Sequence, residues 1–83
     1  MSGLHYFSKI NTVEIENALG IKMEKPRMLA LEPPLAEFVF SYKSTDVFYT
    51  VAMNYDDANS MSNVKKLLEK AIADIENGDV NQG

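Results

Sequence analysis

The residues able to do chemistry are few, and their spacing decides little. The chain has no cysteine, so a disulfide framework, a thiolate metal site and a cysteine nucleophile are all excluded. Its one histidine, His5, lies within LHYF near the start. No second histidine or clearly placed carboxylate accompanies it as metal ligand or catalytic base. Asp56 and Asp57 suggest a hard cation, but their context, NYDDANS, lacks the ligand spacing and turn glycine of a calcium loop. The pair reads better as the start of a helix. No catalytic residue, metal or cofactor is therefore expected.

Two further groups point to binding. In ENALGIKMEKP, Ala18-Leu19-Gly20-Ile21 looks like the turn of a helix-turn-helix. A recognition helix would have to follow at once, yet Pro26 arrives too early and Glu24 would sit against phosphate. Lys65, Lys66 and Lys70 form a basic group at the start of the last helical segment. Against them stands a formal net charge of −4. From Asp56 to Gly83, six acids against three lysines give −3; residues 1–55, with six acids against five bases, give −1. A global field that attracts nucleic acid is excluded. Acids on the last helix, Glu69, Asp74 and Glu76, offer an edge to a basic protein partner.

These residues need a scaffold, and the scaffold is more legible. Eighty-three residues at 46% apolar content make one small globular domain, expected over residues 1–78 with a disordered tail at 79–83. A secreted domain of this size usually carries disulfides, so a reducing, cytoplasmic setting is expected. No apolar run reaches the length of a membrane span, and the start lacks the pattern of a signal peptide.

Residues 3–8 read as a short strand or an extended arm. A first helix is predicted from Thr12 to Leu19. Asn11 is its N-cap, Glu14 is placed to reach back as in a capping box, Ile10 and Ile15 form a staple, and Gly20 ends it. Two turns are not stable alone, so packing of Val13, Ile15, Ala18 or Leu19 must hold them. KMEKP reads as a polar connector. Strands are predicted at 27–31, 35–43 and 46–53, the first two separated by the prolines of EPP. Met61, Val64, Leu67, Leu68, Ala71, Ile72 and Ile75 recur at helical spacing as one apolar stripe, and Gly78 closes that helix. Lys65–Glu69 and Lys70–Asp74 are its expected ion pairs. The fold class is α+β: a short N-terminal helix, a three-stranded antiparallel meander, and a long C-terminal helix, both helices on one sheet face.

Pairing parity settles the hairpin in EFVFSYKSTDVFYTV. A loop at KSTD pairs Phe38 with Val51 and Phe40 with Tyr49, and sets Lys43 opposite Asp46. One face is then apolar: Phe38, Phe40, Tyr42, Val47, Tyr49, Val51 and Met53. A slip of one residue would split the aromatics between both faces. Val39, Phe48 and Ala52 remain on the open face, with Ser41 and Thr50 as polar neighbours. Val39 and Phe48 are the candidate contact patch there.

The α–β–β–β–α order over residues 11–77 resembles the layout of double-stranded-RNA-binding domains. In that family lysines at the start of the last helix reach phosphates, and Lys65, Lys66 and Lys70 occupy roughly that place. The family's glycine-rich approach and its small residues in the last helix are missing, and the loop between the first two strands is too short for a minor groove.

The leading expectation is a non-enzymatic protein–protein interaction module, a small acidic inhibitor or adaptor that occupies a surface of a larger partner. Immunity-type and phage or plasmid accessory proteins are analogues. Its partner residues are Val39 and Phe48, or Glu69, Asp74 and Glu76. A homodimer also fits so small a chain. The alternative is a nucleic-acid-binding domain using Lys65, Lys66 and Lys70.

Overall fold

A computed structural model describes residues 9–78. The arm at residues 3–8 and the tail at 79–83 lie outside them. The α+β layout is as expected, with one strand more in the sheet.

Helix α1 spans Thr12–Leu19. Asn11 caps it: the Glu14 N–H donates to Asn11 Oδ1 at 3.0 Å. The reciprocal half of the capping box is not made. Glu14 reaches Lys65 Nζ at 3.0 Å instead, while the Asn11 N–H donates to Met61 Sδ at 3.2 Å. Gly20 ends the helix in the left-handed region at φ 69°, its N–H donating to the Glu16 carbonyl at 2.8 Å. Only Ile15 of this helix is fully buried, with Leu19 packed against the core. Val13 and Ala18 are exposed and hold nothing.

The segment after Gly20 is a strand, not a connector. β1 (Ile21–Met23) alternates buried Ile21, exposed Lys22 and half-buried Met23. Three residues are too few for that alternation to register in the sequence. β2 is Arg27–Leu29, β3 Leu35–Tyr42 and β4 Tyr49–Asn54, each pairing with β3 antiparallel. β1 and β2 lie end to end along one edge of β3, and β4 takes the other. Between the pairs Met23–Phe40 and Arg27–Glu37 the edge advances four residues against three on β3. The extra residue makes a bulge over 24–26, where Pro26, which has no N–H, disturbs no ladder bond.

The hairpin register is the expected one: Phe38 opposite Val51, Phe40 opposite Tyr49. Its loop is longer. β4 begins at Tyr49, not at residue 46, so Asp46, Val47 and Phe48 lie outside the ladder. Lys43 does not face Asp46; it turns into the left-handed region at φ 64° and leaves the strand. The Asp46 N–H is taken by Ser44 Oγ at 3.1 Å, a local turn that competes with strand pairing.

A 3₁₀ turn at Asp57–Asn59 buries Ala58 and leads into α2, Met61–Glu76. Ser60 is its N-cap, accepting from the Asn63 N–H at 3.3 Å. Gly78 follows its end at φ 74°. The whole expected stripe of α2 faces inward. Val64 and Leu68 are fully buried with Ile15, Ile21, Ala36, Phe38, Phe40 and Ala58, and the other stripe residues pack on that cluster. One core between the helices and one sheet face therefore holds the chain.

Candidate functional site

The residues singled out for partner binding fall in three places. Val39 sits in the middle of β3 on the sheet face away from the core, half-buried and opposite Thr50. Its carbonyl accepts from the Glu24 N–H at 2.9 Å. Ser41, on the same face, is only 4% exposed and offers little to a partner. Ala52 is exposed there. Phe48 stands in the loop that enters β4, 55% exposed. The face also carries an apolar pair that local spacing does not indicate: Leu29 on β2 directly opposite Leu35 on β3. Leu31, just beyond β2, is 57% exposed.

The acids of α2 do not form one edge. At roughly 3.6 residues per turn, Glu69 and Glu76 share a side, while Asp74 lies about 140° from Glu69. Asp74 is paired with Lys70 at 3.2 Å, as expected. The lysines diverge in the same way, Lys70 standing about 140° from Lys65. Lys65 does not pair with Glu69 but crosses to Glu14 of α1. Lys66 is exposed and makes no ion pair among the described residues. Two of the three lysines thus have carboxylate partners, and the three do not converge on one stripe. Asp56 and Asp57 enter the 3₁₀ turn, and no group of three metal-ligating side chains occurs among the described residues.

Glu76 belongs to a cluster that sequence spacing gave no sign of. The Tyr42 hydroxyl donates to its carboxylate, and Lys43 Nζ lies 3.2 Å from the same oxygen. The Lys43 ammonium also stands 5.2 Å from the centre of the Tyr42 ring, a cation–π distance. The hydrogen bond from Tyr42 and the charge of Lys43 hold the Glu76 carboxyl below its usual range. The same carboxylate raises the Tyr42 phenol, first through that hydrogen bond. It also raises the Lys43 ammonium. A group lowered in the folded state stabilises it above its unfolded pKa, and that contribution is lost as pH falls through the lowered value. Acidification below the ordinary carboxylate range should therefore destabilise the wild type more than Glu76→Gln, with the two converging at the acid end. An NMR titration of the Tyr42 ring checks the other side: its phenol should ionise above the ordinary tyrosine value in the wild type and move down in Glu76→Gln.

Nearby, Glu16, Lys22, Ser41, Lys43 and Thr45 line an open cleft of about 480 Å³. Glu16 is already engaged, accepting from the Met23 N–H at 2.8 Å.

Compared with models of protein families, curated proteins and solved structures, the chain matches none. The resemblance to double-stranded-RNA-binding domains rests on an α–β–β–β–α order, and the extra strand β1 departs from that order.

Proposed function

We propose that this chain is a non-enzymatic protein-interaction module of the cytoplasm, an inhibitor or adaptor that occupies a surface of a larger protein. Contact runs through the sheet face opposite the helices, around Val39 and Phe48. One observation carries this reading. The core packs against one face of the sheet, and among the described residues no helix packs on the other. That open face presents the Leu29–Leu35 pair, Val39 and Ala52, and Leu31, just beyond β2, and Phe48, in the loop entering β4, are exposed. Exposed apolar side chains on a sheet face that no helix covers are what protein interfaces use, and a large aromatic is a common anchor within one. The Arg27–Glu37 ion pair at 3.7 Å lies on this face between the Leu29–Leu35 pair and Val39, and Thr50 stands opposite Val39.

Phe48→Ser tests it directly. In affinity capture from the native cell, the variant should retain at least about tenfold less of the partner than wild type, the loss expected for an interface anchor. Glu69→Lys, on α2, should capture as wild type. The melting temperature of Phe48→Ser should move by no more than a few degrees, because exposed substitutions usually cost within about 0.5 kcal/mol. Undiminished capture by Phe48→Ser would remove this patch as the site.

A further inference from the structure

The two edges of the sheet are built differently. The β1–β2 edge carries the usual defences against pairing with another chain: a bulge, Pro26, and charges at Glu24, Lys25 and Arg27. The β4 edge carries none. Tyr49–Asn54 reads YTVAMN, without charge, proline or glycine, and its register against β3 is unbroken over six residues.

Backbone parity identifies which groups β4 turns outward. The Tyr55 N–H donates to the Pro34 carbonyl at 3.0 Å. In an antiparallel ladder this direction alternates, so Met53, Val51 and Tyr49 bond toward β3. The N–H and C=O groups of Thr50, Ala52 and Asn54 then point away from it. The Glu24 N–H reaching the Val39 carbonyl from the other side of β3 fits the same parity. No described strand pairs with those six groups.

We infer that the outer edge of β4 pairs antiparallel with β4 of a second copy of this chain. A two-fold axis at Ala52 uses all six outward groups: Ala52 faces its own copy, and Thr50 faces Asn54 of the other chain. In a chain of net charge −4, pairing like with like is favourable only where the strand is uncharged, since like charges directly opposite destabilise a ladder. The helices agree with this symmetry. The Lys65 side of α2 faces α1, so Lys70 and Asp74 lie toward the β4 side. That edge carries one charge of each sign and meets its own copy without a wall of like charge. The pairing uses backbone groups of β4 and needs no contact from Phe48; Ala52 also lies on the proposed partner face, so the test reads mass and not partner capture.

Sedimentation equilibrium over a concentration series tests it, on wild type, Ala52→Lys and Ala52→Pro. Ala52 is exposed and its N–H points outward, so neither variant removes a core contact or a bond to β3. Wild type should move from 9.3 kDa toward twice that mass as concentration rises. Both variants should associate about tenfold more weakly or worse: lysine by setting like charges across the axis, proline by removing a donor. Circular dichroism confirms that each variant is folded. A wild type that stays monomeric at every concentration overturns the pairing. A dimer that neither variant weakens overturns it equally, by placing the contact elsewhere.

Discussion

Phe38→Ala is expected to lower stability by about 3–5 kcal/mol, measured by urea denaturation with far-UV circular dichroism. Phe38 is fully buried in the central strand, flanked by Ala36 and Phe40 on the same face and covered by α2. Both helices, the 3₁₀ turn and every strand but β2 contribute to this one core, so no second cluster takes up the cavity that alanine leaves. Domains of this size retain only about 5–15 kcal/mol in total, and small ones lie toward the lower end. The variant should therefore be largely unfolded near physiological temperature. A loss under about 1 kcal/mol would mean that Phe38 is not packed as described.

Ile15→Ala should have the second-largest effect, about 2–5 kcal/mol, and a local character. Helix α1 has eight residues and a single fully buried side chain, Ile15. A helix this short has no stability of its own. Once Ile15 is truncated, α1 is held only by its caps, by partly buried Leu19, and by polar contacts such as Lys65–Glu14 and Glu16 to the Met23 N–H. The exposed ion pair contributes about 1 kcal/mol or less, and the part-buried hydrogen bond to Glu16 about 1.5–3 kcal/mol. Native-state hydrogen exchange should show the amides of residues 15–20 accelerating most and those of β3 least. Equal acceleration throughout would mean that α1 and the sheet open as one unit.

Long periodic signals were legible and short ones were not. The stripe of α2 spans four turns, and each repeat reinforces the last, so all its members are correctly placed in the core. Parity in the hairpin worked for a similar reason: a slip by one residue would have exposed half the aromatics, so burial alone selected the pairing of Phe38 with Val51. The caps at Asn11 and Gly20 were readable because they depend on backbone geometry within a few residues. β1 escaped notice because Ile-Lys-Met is three residues long and becomes a strand only by pairing with the far end of β3. Val13 and Ala18 illustrate the converse. Both are apolar in a short helix, and only the direction of docking leaves them outside.

The candidate site divides along the same line. Strand parity alone puts Val39 on the open face, and it lies there. β-propensity puts Phe48 in a strand, but Lys43 turns left-handed and Ser44 holds the Asp46 N–H, so the loop runs on through it. The i,i+4 pair Lys70–Asp74 is legible in the spacing, but the carboxylate partners of Lys43, Lys65 and Tyr42 are not. Glu76 meets Tyr42 and Lys43 across 34 and 33 residues of chain, and Lys65 meets Glu14 across 51. Local chemistry and period thus set the helices, the hairpin register and the inward face. The pairing of distant segments along β3 set the fourth strand, the bulge at Pro26, the edge at β4 that no described strand pairs and the destinations of the charges. Those features depend on which segments meet in space, and no local pattern encodes that.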